Sequence, residues 1–249
     1  MPIKALTLDT GGTILDWHGG ISRALAAAGA RRGLTADWHE LTNEYRRRSL
    51  KAIVGLVHPE FNFDDVHRKV LDEVIAQFRL DALTAEDRDA IWRTWHALDA
   101  WPDFPVALAR LRRKYIVSSL TLLTTSLVID VSKRNGFDWD AIISCEMIGI
   151  YKTRPEAYRT AAKWLQLDPS EIMMVACHNF DLNAARMRLQ ERLCQTSGGM
   201  GSRRTAGSDP QPRARPGRGH VSGIGRTSGR VNCCSRPRRA CNQAGPGGR

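Results

Sequence analysis

Ile3-Lys4-Ala5-Leu6-Thr7-Leu8-Asp9-Thr10-Gly11-Gly12-Thr13 decides the fold. A short apolar run closed by paired glycines reads as a buried strand over 3–9 followed by a tight turn. Asp9 then stands at the carboxyl end of a strand, where open α/β sheets bind their ligands. Gly11-Gly12 lets a substrate approach the backbone closely. An aspartate in that place can be a nucleophile, a metal ligand or an ordinary turn residue, and the motif alone does not choose.

Outward from this turn the chain changes character twice. From Ile21 to Ala100 apolar residues recur at helical spacing without strand alternation, predicting helices over 20–31, 37–56, 64–79 and 85–98. Turns are expected near Gly33, His58-Pro59 and Asp81, and Thr84-Ala85-Glu86-Asp87 reads as a capped helix start. Trp92, Trp95 and Trp101 are expected to pack core or interdomain surface. After Trp101-Pro102 helices and short apolar strands alternate: helix 103–113, strand 115–123, helix 127–135, strand 141–144, helix 154–165, strand 171–176. That alternation predicts a parallel sheet with right-handed crossovers. The expected class is α/β, a Rossmann-like parallel-sheet core over 1–18 and 101–187 with an inserted all-helical cap over 19–100.

The formal charge of +11 would suggest a nucleic-acid binder, but all of it resides in the last quarter of the chain. Arg188 to Arg249 holds 13 arginines, no lysine and two acids, whereas residues 1–187 carry 24 basic and 24 acidic groups and are neutral. The tail also holds 12 of the 21 glycines and no Phe, Trp or Tyr, so it is expected to be disordered. It would bind nucleic acid only non-specifically, through phosphates and without aromatic stacking. No stretch approaches the roughly 20 apolar residues of a membrane span, and the N-terminus has no signal-peptide pattern. Cys145 and Cys177 are the only cysteines of residues 1–187 and show no metal-type spacing, which fits a reducing cytoplasm.

Four polar clusters fall at predicted strand ends. They are Asp9 to Thr13; Thr124-Thr125-Ser126; Lys152 in Ile150-Tyr151-Lys152-Thr153-Arg154-Pro155; and His178-Asn179-Phe180-Asp181. Singly, Lys152 reads as a solvated loop residue and Asp181 as the N-cap of a helix over 182–188. Together, an aspartate, a hydroxyl, a lysine and a second aspartate, each at a strand end, form a catalytic pattern.

With these clusters in that order, the chain from Ile3 to Arg186 resembles the haloacid dehalogenase superfamily, and within it the type II 2-haloacid dehalogenases. The resemblance implies that Asp9 is the nucleophile. The superfamily's phosphatases carry a second aspartate two residues later as general acid; this chain has Gly11, and a departing halide needs no proton. The implied activity is hydrolysis of the carbon–halogen bond of short 2-haloacids to 2-hydroxyacids, through an ester on Asp9 and without a cofactor. Lys152 is implied to hold Asp9 ionised, and Asp181 to activate the hydrolytic water. Thr10, Thr13, Thr124, Thr125, Tyr158, His178 and Asn179 are the implied substrate-binding set. Tyr45-Arg46 resembles an aromatic–arginine pair that accepts halide, with Arg46-Arg47-Arg48 leaving the register open by one residue and an exposed basic face as the alternative. Trp17 is placed to line the pocket or to pack beneath the cap. A magnesium-dependent phosphatase, with Asp9 and Asp181 as metal ligands, is the alternative enzyme, and an inactive chain with a basic tail is the alternative outside catalysis. Homodimerisation through the cap is a further implication.

The chain departs from the pattern in two loops and at its end. Thr124-Thr125 stands where the family usually has Ser-Asn, and Ala176-Cys177-His178 where serine and asparagine are frequent. After Arg186 the family continues with a glycine, a strand and a segment rich in Glu-Trp-Gly and proline. Reading Gly199 to Asp209 one base later, with permitted codons, gives Glu-Trp-Gly-Pro-Ala-Gly-Pro-Pro-Asp-Pro. The tail is therefore expected to come from a shifted reading frame, leaving a sheet edge exposed near Asp181 and activity impaired.

Overall fold

The computed structural model describes residues 2–186 and the backbone of 194–195, and in it Ala5–Leu8 forms the central strand β1 with all four residues buried. β2 (Ile116–Ser119) and β3 (Ile172–Ala176) flank it in parallel, setting Leu8 opposite Ser119 and Val175. Burial on both faces suits the apolar composition of β1. Residues 141–144 form an extended segment along the outer side of β2. Ser119 and Thr121 donate N–H bonds to the carbonyls of Ala141 and Ile143 there.

A two-residue strand, β4 (Cys194–Gln195), pairs parallel to β3 through Val175 and Ala176, giving the order β2-β1-β3-β4. An open ladder edge on β3 offers unpaired N–H and C=O groups to any backbone within reach. The remainder of the tail, with the expected frame shift and nucleic-acid binding, lies outside the described residues.

Four helices follow β1 as the insertion: α1 (Trp17–Arg31), α2 (Trp38–Ile53), α3 (Phe63–Gln77) and α4 (Ala85–Arg93). Side chains satisfy their first amides. Asp16 accepts from Gly19 N–H, Asp37 from His39 and Glu40, Asn62 from Asp64, and Thr84 with Asp87 forms a reciprocal capping box. The helix expected over 85–98 stops at Arg93 and finishes as a 3₁₀ turn, Thr94–Ala97. α5 (Phe104–Leu111), α6 (Thr125–Asn135), α7 (Cys145–Ile148), α8 (Pro155–Leu165) and α9 (Asn179–Arg186) complete the described helices. No described helix is long and apolar enough to cross a membrane.

One buried apolar cluster runs from Leu6 and Leu8 through Trp17, Tyr45 and Trp95 to Leu122 and Val128, so the inserted helices share a core with the sheet. Trp95 lies inside it as expected, stacked on Trp17 and donating to the Tyr45 hydroxyl at 3.0 Å. Trp101 is half-buried and reaches back to the Gly11-Gly12 turn, where its Nε1 donates to the Gly12 carbonyl at 3.1 Å. A polar clasp adds to this junction: Thr124 donates to Asp64 of α3 at 2.8 Å, and His96 bridges Asp64 and Asp130 at 3.3 and 2.7 Å.

Candidate active site

Asp9 follows β1 directly, and its N–H donates to the Val175 carbonyl at 2.9 Å, which fixes the turn against β3. The carboxylate is 7 % exposed and has three side-chain partners. Lys152 Nζ donates to Oδ1 at 3.0 Å, Thr13 Oγ1 to Oδ2 at 2.9 Å, and His178 Nδ1 lies 3.3 Å from Oδ2. Thr13 is held in turn by the Cys177 N–H, which donates to its oxygen at 3.0 Å. Burial alone would raise the Asp9 pKa, but the Lys152 charge and the His178 bond more than reverse it and hold the group well below the carboxylate range. Asp9 is ionised at neutral pH.

Lys152, fully buried, is the hub. Its three donors go to Asp9, to the Leu120 carbonyl at 2.8 Å and to Asp181 Oδ2 at 2.5 Å. Burial lowers its pKa, yet the two carboxylates outweigh that and raise it. Asp181 differs from Asp9. Burial raises its pKa, Lys152 opposes, and the nearby Asp9 charge raises it further, leaving Asp181 the more basic carboxylate of the pair. Tyr158 donates to Asp181 Oδ1 at 2.5 Å, so its contact is with the second acid. The N-cap reading of Asp181 is superseded, because α9 begins at Asn179 and its first turn carries Asp181 towards Lys152.

His178 is shifted too. Burial lowers its pKa, but bonds to Asp9 and Cys177 raise it to about 9. A base raised from 6.5 to about 9 on folding contributes stability that is complete below pH 6.5 and is lost as pH rises through about 9. Urea unfolding of the wild type should therefore show falling stability across that window. His178→Gln should be flatter there, and equal slopes would refute the ion pair.

The face above Asp9 comes from the inserted helices. Arg46 of α2 is 4 % exposed, and its Nε and Nη1 have no protein partner. A Cβ on Gly11 would sit 3.0 Å from Arg46 Nη2, so the absence of a side chain there is what admits the guanidinium. Trp17 Nε1, also without a partner, would lie 3.0 Å from a Cβ on Gly12, whose φ of +91° itself favours glycine. The Arg46 guanidinium is 5.5 Å from the ring centres of both Trp17 and Trp95. Unsatisfied buried donors are costly. The Arg46 guanidinium and Trp17 Nε1 stand over the Gly11-Gly12 turn, which offers an anion buried donors beside Asp9.

Several expected residues go elsewhere. Thr124 caps α6 and donates to Asp64, and no described contact joins it to Asp9. The Thr125 N–H donates to Glu146, and its hydroxyl has no partner. The hydroxyl level with the nucleophile turn is Thr121, 2.6 Å from Thr10 Oγ1. Thr10 is fully buried, and its hydroxyl joins the ends of β1 and β2. The error arose at the strand end. β2 stops at Ser119, four residues before the predicted Leu123, and Thr121 comes level with Thr10. The residues after Thr121 are then Leu122 and Leu123, both buried, and they offer no amide to a substrate. Asn179 is exposed at the start of α9.

Cys177 was missed as a neighbour of Asp9. Asp9, Cys177 and His178 present ligand atoms within 4.8 Å of one another, a set that could hold a metal ion. Adjacent cysteine and histidine have no recognisable ligand spacing in sequence; only the return of β3 beside β1 brings them to Asp9.

Residues 3–176 match the family model described as haloacid dehalogenase-like hydrolase. A curated relative, (S)-2-haloacid dehalogenase 4A of Burkholderia cepacia, is 27 % identical over 191 residues, covering 74 % of this chain and 78 % of its own. The crystal structure of a defluorinating L-2-haloacid dehalogenase superposes with a TM-score of 0.68 at 34 % identity, covering 75 % of this chain and 78 % of that one. A second L-2-haloacid dehalogenase gives 0.69 at 31 % identity, with 77 % and 82 % covered.

Proposed function

Because the chain belongs to the haloacid dehalogenase-like hydrolases, we propose that it hydrolyses the carbon–halogen bond of short 2-haloacids, with Asp9 as nucleophile. The observation that carries this reading is the pairing of a pinned, ionised carboxylate with buried unpartnered donors above it. Asp9 attacks the halogen-bearing carbon with inversion. The halide leaves towards Arg46 and Trp17, whose donors meet the charge that develops as the bond breaks. Water then attacks the ester carbonyl, Asp181 receives its proton, and Asp9 is regenerated. The raised pKa of Asp181 suits a base, while the lowered pKa of Asp9 suits a nucleophile. The printed activities of the relatives support the same substrate class.

The magnesium-dependent phosphatase finds less support. Gly11 supplies no second carboxylate, and the Lys152 ammonium fills the gap between Asp9 and Asp181 in which a cation would have to be held.

The test is halide release from each enantiomer of 2-chloropropionate, without added metal, by wild type and Arg46→Leu. Wild type should turn over, with the S enantiomer preferred as the relatives' names suggest. Arg46→Leu should lose roughly 10²–10³-fold in kcat, the scale on which single transition-state donors act. Phosphatase activity that requires magnesium, with no halide released, would replace this reading by the alternative.

A further inference from the structure

Cys177 puts a thiol beside Asp9 and His178, and the mechanism above does not use it. Its Sγ lies 3.2 Å from His178 Nδ1 and would be 3.3 Å from a Cβ on Gly12, the same position that Trp17 Nε1 approaches. It is also within 4.8 Å of the Asp9 carboxylate. A carbon poised for attack stands about 3–3.5 Å from the attacking oxygen, so a carbon held over Asp9 on its Gly12 side can approach this sulfur as well. The second observation is independent of the cysteine. Trp17, more than nine-tenths buried, points its unpartnered Nε1 at this turn, and the buried Arg46 guanidinium lies against Gly11, so an anionic leaving group is drawn to it.

Resting on the dehalogenase reading, we propose that Cys177 is a site of irreversible S-alkylation by the enzyme's own 2-haloacid substrate. The sulfur attacks C2, a carbon–sulfur bond forms, and the carbon–halogen bond breaks with its electron pair leaving as halide. The thiol proton leaves to solvent, and the charged imidazole of His178 beside the sulfur stabilises the thiolate that attacks. No redox partner is required.

Two acceptors of one alkyl group have opposite fates. The Asp9 ester has a carbonyl that water can reopen, whereas the thioether on Cys177 has none and stays. Alkylation at Cys177 would fill the space beside Gly12 and end catalysis. Activity should then decay with the number of turnovers and not with time alone. Softer substrates, with bromide or iodide leaving, should inactivate in fewer turnovers than chloride.

The experiment incubates wild type and Asp9→Asn with (S)-2-bromopropionate, follows halide, and maps cysteine peptides by mass spectrometry. In Asp9→Asn the expected result is one carboxyethyl group per chain on Cys177, with no more than one halide released per chain. The adduct should be lost in Asp9→Asn/Cys177→Ala. Wild type should accumulate the same adduct in step with its loss of activity. Sustained halide release by wild type with Cys177 unmodified in both proteins would overturn this inference and leave the dehalogenase reading standing. Neither halide nor adduct from folded chains would overturn both. Label on the other cysteines with Cys177 spared is ordinary solution alkylation and would also overturn it.

Discussion

Asp9→Asn should abolish catalytic halide release, by at least about 10⁴-fold in kcat, the scale on which loss of a nucleophile acts, while the chain still folds. Asparagine keeps the volume of the side chain and an oxygen facing Lys152, so the packing around the turn has little to rearrange. It removes the carboxylate that forms the ester, and no described side chain can take over as a nucleophile whose product water reopens. The electrostatics partly compensate. Asp9 is held below its ordinary pKa, so its ionised form contributes stability present above about pH 4 and lost as pH falls through the folded value. The variant gives up that contribution. In exchange, Asp181 keeps Lys152 without a competing carboxylate. A thermal melt at pH 7.5 beside the halide assay separates the two effects: activity gone, transition retained. A variant that kept a tenth of wild-type turnover would mean that the nucleophile is elsewhere.

How far this site was legible in the sequence depends on how each residue reaches it. Asp9, Lys152 and Asp181 were readable because each follows an apolar strand or its loop, and parallel strands deliver their carboxyl ends to one edge. Arg46 was readable only through resemblance. Helix periodicity put Tyr45 and Arg46 on α2, but nothing local says that a guanidinium is buried, because that depends on Gly11 having no Cβ. The hydroxyl at the β2 end was misread because Leu120, Leu122 and Leu123 prolong the apolar run past the last regular pair at Ser119. An apolar loop between strand and helix carries no turn residue to announce it. Cys177 was hidden for another reason: its sulfur reaches Asp9 only because β3 returns beside β1, and the same close approach at the glycine turn decides between the two readings of Trp17.

Lys152→Met should cost both activity and stability, and its pH dependence distinguishes this lysine from one that merely fills space. Methionine matches its length and leaves no large cavity, so packing loss is small. What remains is electrostatic. Asp9 and Asp181 would be buried together with no ammonium between them, and removing one partner from a buried ion network typically costs about 3–5 kcal/mol. The pair would respond by taking up a proton, since two neighbouring buried carboxylates cannot both stay ionised. A carboxyl whose folded pKa lies above its unfolded value makes the native state bind more protons, so the variant gains stability as pH falls. The wild type moves the other way in acid, because its Asp9 is held low by Lys152. The difference between the two proteins should thus be largest near pH 8 and close towards pH 5. Halide release should fall with the fraction of Asp9 that remains ionised. Urea unfolding at pH 5 and pH 8 measures it directly, and a deficit that did not change with pH would assign Lys152 a packing role and remove it from the charge balance on which the nucleophile depends.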